Sequence, residues 1–230
     1  MIVLGLDTAT PRTAVALQLA GGQPPGEAVH DPVPGERPGH ATRLLPLARE
    51  LLDEAGLAFA DVDLIAVGVG PGTFTGLRIG VATARALAQA SRARLAGVSS
   101  LRALAEPRSE PAVLAVLDAR RGEAFLAGYE HGREVLSATA LTPDALAAVP
   151  APAGGGAWLA VGDGAVRFRD PLERAGATVL PDIDPAHRIT AAAVCRLARA
   201  AGPAARDEVL PMYVRPPDVD VAAARRSGRR

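Results

Sequence analysis

Two aspartates in this chain each close an apolar run. Asp7 does so in Leu4-Gly5-Leu6-Asp7-Thr8-Ala9-Thr10, and Asp118 in Leu117-Asp118-Ala119-Arg120-Arg121-Gly122-Glu123. A carboxylate at the end of a strand can hold a divalent metal and, through it, a phosphate. Phosphoryl transfer also demands backbone donors around the phosphates and a basic or positioning group. Arg120 and Arg121 carry planar forks able to grip a carboxylate or phosphate with two hydrogen bonds. The plainer reading is that Asp and Thr stop a strand, and that 118–123 is a solvated turn with weak ion pairs. His30, His40, His131 and His187 are widely spaced and form no HxxxH or HExxH pair, so no convergent metal ligand set is legible. Cys195 is the only cysteine and lies in an apolar helical run. It reads as a small buried hydrophobe, with no disulfide or thiolate cluster open to it.

A second constellation is Gly68-Val69-Gly70-Pro71-Gly72-Thr73-Phe74-Thr75-Gly76-Leu77-Arg78-Ile79-Gly80. It joins a buried strand, Val62 to Val69, to a long helix ending near Ala90. Free amides and the helix dipole at such a start favour an anion. The Gly-Lys-Ser/Thr of a P-loop is missing, and capping by the Thr73 hydroxyl is the favoured reading. Gly76, Gly80, Ala84 and Ala88 follow at a spacing of four. Glycine inside a helix costs about 1 kcal/mol against alanine, so this small stripe is expected to let another backbone approach. It reads as a docking surface.

These groups need a frame to hold them. Ile2–Leu6, Thr13–Leu19 and a stretch near Glu27–His30 read as meandering strands. A helix follows over Ala41–Ala55, its apolar set Leu44, Leu45, Ala48, Leu51, Leu52 and Ala55 at helical spacing, and Gly56 ends it. The strand, the small-residue helix and a strand at Leu95–Val98 complete β-β-β-α-β-α-β. After Pro107 the pattern repeats loosely. A strand over Ala112–Leu117 ends in Asp118, and a hairpin (Glu123–Tyr129, Glu134–Ala140) turns at His131-Gly132. Strand, helix, strand and helix then follow at Trp158–Val161, Val166–Ala175, Thr178–Leu180 and Thr190–Ala201. The expected organisation is a first lobe at 1–107, a smaller second lobe at 108–215, and a charged, mobile tail at 216–230. The tail's Arg225–Arg230 run is weighed as an RNA contact and read mainly as solvated.

Of 230 residues, 49% are apolar but only 3% aromatic, so Leu, Val, Ile and Ala must fill the core. The formal net charge is zero and every basic residue except histidine is arginine, which gives no global attraction to nucleic acid or acidic membranes. Met1 to Asp7 reaches an acid too soon for a signal peptide, and no apolar run is long enough to span a bilayer. The expectation is a cytoplasmic protein without membrane contact.

The segment Gly70–Gly80, the opening Leu4–Thr10, the run Leu117–Glu123 and Pro211-Met212-Tyr213-Val214-Arg215 occur in order along most of the chain. In these four pieces the chain resembles the TsaB (YeaZ) family, which helps make threonylcarbamoyladenosine on tRNAs next to the anticodon. The resemblance implies an α/β, actin-like ATPase, sugar-kinase and Hsp70-like fold with two related lobes. In relatives with that fold, aspartates at the positions of Asp7 and Asp118 help hold Mg²⁺ and phosphate. TsaD, the catalytic cousin, holds its metal with a histidine pair after the matching helix. Here the stretch is Gly97-Val98-Ser99-Ser100-Leu101-Arg102-Ala103-Leu104, with serine and leucine instead.

The resemblance therefore implies a chain with no catalytic residue, metal or cofactor of its own. Its implied role is partner of a TsaD-like transferase, alongside a TsaE-like ATPase and a TsaC-type enzyme that makes the donor. It would meet tRNA only through that complex and form a homodimer when isolated. The implied contact is a helical bundle built from 41–55 and 73–90, placing Leu44, Leu47, Leu51, Thr73, Gly76, Leu77, Gly80 and Ala84 at the interface. Asp7, Asp118, Arg120 and Arg121 are candidates for a shared nucleotide or partner contact. An ATP-dependent phosphotransferase of the sugar-kinase type is the alternative, resting on the two aspartates. A metallopeptidase has no ligand set here. Calorimetry with MgATP separates the first rival, and metal analysis the second.

Overall fold

The computed structural model describes residues 1–21, 23–33, 35–106 and 110–214. Arg215, the tail 216–230 with its arginine run, and the boundary at Pro107 lie outside the described residues.

Two five-stranded sheets carry the chain. The first contains β1 (Val3–Asp7), β2 (Thr13–Gln18), β3 (Gly26–His30), β4 (Leu64–Gly70) and β5 (Arg94–Ser99), in the order β3-β2-β1-β4-β5. The second contains β6 (Ala112–Arg120), β7 (Glu123–Glu130), β8 (Arg133–Leu141), β9 (Leu159–Val161) and β10 (Thr178–Val179), in the order β8-β7-β6-β9-β10. In both, the first three strands run antiparallel as a meander and the last two join in parallel. Central strands are apolar on both faces: every residue of β1 and β2 is buried, as a sheet covered on both sides requires. Edge strand β3 (GEAVH) carries exposed residues.

The helices repeat too. α1 (His40–Glu54), α2 (Phe74–Ser91) and α3 (Ser100–Ala105) serve the first half. α4 (Pro143–Leu146), the pair α5 (Asp163–Arg167) and α6 (Arg169–Arg174), and α7 (Ala191–Ala201) serve the second. This is the actin-like ATPase, sugar-kinase and Hsp70-like architecture with two related lobes. Two helices differ from the reading above. The expected helix over Val166–Ala175 is broken at Phe168, whose backbone leaves helical angles (φ −110°, ψ 35°). α3 has only six residues, too few to show a period.

The lobe boundary needs correcting. α7 follows the second sheet in the chain but packs on the first: the Cys195 thiol lies 3.7 Å from the Val3 carbonyl and 3.6 Å from that of Ala16. Glu27 of β3 accepts the Ala191 amide at 2.5 Å. The chain after α7 stays with the first lobe, where Ala204 donates to the Leu95 carbonyl at 2.8 Å and Met212 to that of Val69 at 2.7 Å. Residues 191–214 therefore belong with the first lobe and not with 108–215. Conversely, α3 packs against β6 and β7 of the second sheet. One apolar core joins both lobes through these helices, with Val3, Leu101, Leu104, Phe125 and Val194 in the same cluster. Arg196 of α7 clasps Glu106, just past α3, with two hydrogen bonds of 2.9 and 2.7 Å.

Candidate functional site

Asp7 ends β1 inside the first lobe and is 2% exposed. Its Oδ1 accepts the Ala9 amide at 3.0 Å and its Oδ2 the Ser100 hydroxyl at 3.1 Å. Ser100 in turn accepts the Gly70 amide at 3.2 Å. The carboxylate rests on Gly68, where any Cβ would overlap Oδ2. Among the described residues no cation pairs with it. Burial therefore pushes the Asp7 carboxyl up to about 6, although the Ala9 amide and the Ser100 hydroxyl pull the other way.

Asp118 holds the corresponding place near the end of β6. Its side chain is 7% exposed and meets two arginines, Arg120 Nη1 at 3.1 Å and Arg167 Nη1 at 3.0 Å. The Arg120 amide donates to Oδ1 at 2.8 Å. The Asp118 amide donates to Asp163 Oδ1 at 3.0 Å, and burial raises the pKa of Asp163 against that hydrogen bond. Arg120 and Arg121 both adopt left-handed backbone (φ 64° and 55°) in the turn to β7. The structure thus gathers Asp118 and Arg120 into one ionic cluster and adds Arg167 and Asp163 to it; Arg121 is exposed at the turn.

The glycine-rich loop is taken up internally. The peptide Gly70-Pro71 is cis, and the Thr73 amide donates to the Ala9 carbonyl at 2.7 Å. The Thr73 hydroxyl makes no capping hydrogen bond to α2, which corrects the capping expectation. Two of the amides expected to receive an anion are thus spent internally: Gly70 N ties β4 to α3 through Ser100, and Thr73 N ties the β1–β2 turn to the start of α2 through Ala9.

The small stripe of α2 also turns inward. The Thr8 hydroxyl donates to the Gly76 carbonyl at 2.8 Å. A Cβ added to Gly80 would collide with that hydroxyl and lie 3.7 Å from Val67 Cγ2. Leu44, Leu51, Leu77 and Ala84 are buried in the first lobe's own core. The expected interface residues Leu44, Leu51, Gly76, Leu77, Gly80 and Ala84 are thus core residues, and the backbone that approaches the stripe is the lobe's own β1–β2 turn. Leu47 and Thr73 are half-buried.

What α1 and α2 present outward is different. Leu45 is 47% exposed and Phe74 43%. Arg78 lies over the Phe74 ring at 3.7 Å and its Nε donates to the Tyr213 hydroxyl at 3.1 Å. The Phe74 and Tyr213 rings stand 5.4 Å apart. Beside them a groove of about 450 Å³ runs between α2 and residues 210–213. Sequence reasoning missed this face. Leu45, placed above in the apolar set of α1, is instead exposed, and the available signal was Phe74, a large apolar residue off the buried period of α2.

Elsewhere, His40 is buried with its Nδ1 2.8 Å from the Thr13 hydroxyl, and burial, then the nearby His30 charge, lowers its pKa. Ser99 accepts the Arg102 amide at the start of α3 at 3.4 Å. Among the described residues no three His, Cys, Asp or Glu side chains group to hold a metal, and no helix is long and apolar enough to cross a membrane.

Comparison with known proteins bears on this geometry. The family model described as TsaD, tRNA N6-adenosine threonylcarbamoyltransferase, matches residues 35–179, more than half of the chain. The tRNA threonylcarbamoyladenosine biosynthesis protein TsaB of Escherichia coli is 36% identical over 145 residues, 58% of this chain and 60% of that protein. The match thus spans under two thirds of that relative's length. An uncharacterised protein of Mycobacterium tuberculosis is 35% identical over 223 residues, 94% of this chain and 92% of its own. The solved structure of YeaZ from Pseudomonas aeruginosa superposes with a TM-score of 0.75 at 32% identity, covering 92% of this chain and 99% of that one.

Proposed function

Because the chain belongs to the TsaB (YeaZ) family, within the wider TsaD family, we propose that it acts in forming threonylcarbamoyladenosine on tRNA as the non-catalytic partner of a TsaD-like transferase. The observation that carries this reading is the fate of the first strand-end aspartate. Asp7 is closed in by Ser100, Ala9 and Gly68, so the carboxylate that relatives turn toward metal and phosphate serves here to tie β1 to α3. Within residues 97–104 serine and leucine stand where TsaD-like enzymes have metal-binding histidines, and Ser99 and Ser100 are both engaged in structural hydrogen bonds. The chain supplies a frame, and the transfer chemistry belongs to its partner.

The pairing surface is the outward side of α1 and α2, where Leu45 and Phe74 are exposed and Leu47 is half-buried. Contiguous exposed apolar patches rimmed by polar residues mark association sites, and the same face serves a homodimer when the partner is missing. A TsaE-like ATPase completes the assembly, which meets tRNA as a whole.

Leu45→Glu tests the reading without touching the core. Titration calorimetry against the host's own TsaD-family protein should show micromolar or tighter pairing for the native chain, weakened at least tenfold by the variant. Pairing at undiminished affinity would remove this face from the interface. No pairing of the native chain would remove the partner role itself.

A further inference from the structure

The motif Pro211-Met212-Tyr213 has no task in the reading above, yet the fold carries it 120 residues and more along the chain to lie beside α2. Met212 is pinned to β4 by its amide, and Tyr213 is pinned to Arg78 by its hydroxyl. Between this segment and α2 lies the groove, with Val81, Ala82, Leu210 and Pro211 as apolar lining and Arg78 and Arg85 at its sides. At about 450 Å³ it falls within the usual range of specific pockets, about 300–1,000 Å³.

Its charge is one-sided. Residues 74–91 contain Arg78 and Arg85 but no Asp or Glu, and residues 210–214 contain no charged residue at all, in a chain whose net charge is zero. α1 is mixed by contrast, with Arg43 and Arg49 against Glu50, Asp53 and Glu54. Arg78 is held in place by Phe74 and Tyr213, while its terminal nitrogens have no hydrogen-bond partner among the described residues. Arg85 has none either. One anchored guanidinium (Arg78) and a second, free one (Arg85) beside an aliphatic floor match an apolar side chain flanked by carboxylates.

We propose that this groove extends the pairing surface from Phe74 across Arg78 to residues 210–213, and that it receives an apolar residue of the TsaD-like partner flanked by acidic ones. The inference rests on the pairing proposed above. A protein segment fits better than RNA. Stacking of bases needs free ring faces, and here one face of Phe74 is covered by Arg78 while the Phe74 and Tyr213 rings lie tilted against each other.

The experiment is calorimetry of the intact chain with the host's TsaD-family protein at two salt concentrations, with folding checked by thermal melting. Arg85→Glu should weaken pairing about tenfold, Arg85→Lys only slightly, and Ala82→Trp, which fills the groove, at least tenfold. The salt dependence should be smaller for Arg85→Glu than for the native chain. If Arg85→Glu and Ala82→Trp pair like the native chain while Leu45→Glu does not, the partner role survives and this extension is overturned. If Arg85→Glu leaves pairing intact but weakens binding of host tRNA by the pure chain, the groove belongs to RNA and the proposal is overturned. A native chain that pairs with nothing defeats both readings at once.

Discussion

The two lobes were built to one plan and have diverged at the same point. In the first, the aspartate ending the central strand has no cation beside it among the described residues and is held by a hydroxyl and an amide. In the second, its counterpart is gripped by Arg120 and Arg167 near the surface. Strand order and direction are unchanged between them, so the frame does not decide what such a carboxylate does. Its neighbours decide, and they come from distant parts of the chain. A similar contrast divides the two faces of α2, one filled by the lobe's own backbone and the other open.

The largest effect should come from the inner face of α2. Gly80→Leu drives a side chain into Thr8 and Val67, and overpacking of this kind costs about 3 kcal/mol or more. Denaturant unfolding should show that loss, whereas Arg85→Glu on the outer face should stay within about 0.5 kcal/mol. Equal stability of the two variants would mean that α2 is not seated as described.

Replacing the two aspartates should have opposite signs. Asp7 titrates near 6 in the fold against an ordinary 3.8, so the folded state favours its neutral form. That contribution is complete below about 3.8 and is lost as pH rises through 6. Asp7→Asn mimics the neutral acid and should stabilise the chain at pH 7 by up to about 3 kcal/mol, with the gain gone by pH 4. Asp118→Asn should instead destabilise by about 1 kcal/mol, since its arginines are half-exposed and screened. Denaturant titrations at both pH values check the pair, and a destabilised Asp7→Asn at pH 7 would argue for an ionised, functional carboxylate.

His40 should give the smallest change. Its lowered pKa means that the unfolded chain takes up the proton first as pH falls. Stability is therefore full above about 6.5 and declines below it, opposite in sense to Asp7. His40→Gln should flatten the slope of stability against pH below 6.5 by at most one proton; an unchanged slope would assign the titration elsewhere.

Much of this was legible in the residues. Buried runs gave β1 and β4, helical spacing gave α1 and α2, and the hairpin of β7 and β8 turned where His131-Gly132 said it would, with φ of 47° and 74°. Asp7 stands at the strand end expected of it, while β6 runs two residues past Asp118 to Arg120. Their partners were not legible, because Ser100 lies 93 residues from Asp7 and Arg167 lies 49 from Asp118. The spacing of Gly76 and Gly80 announced a close approach correctly, but spacing names no occupant, and the occupant is Thr8. α7 looked like a second-lobe helix because chain order was the only guide. An apolar helix covers whichever sheet face is bare, and the bare face was on β1 and β2.

That exchange of helices has a consequence for how the molecule is born. A ribosome that has released residues 1–106 has made every strand of the first sheet and the helices for one face, but not the α7 cover for the other face of β1 and β2, which arrives only with residues 191–201. Until then the nascent chain shows an oily, half-finished surface that invites a chaperone. Cutting the gene between the two halves should yield fragments that are each sticky alone and soluble only when made together.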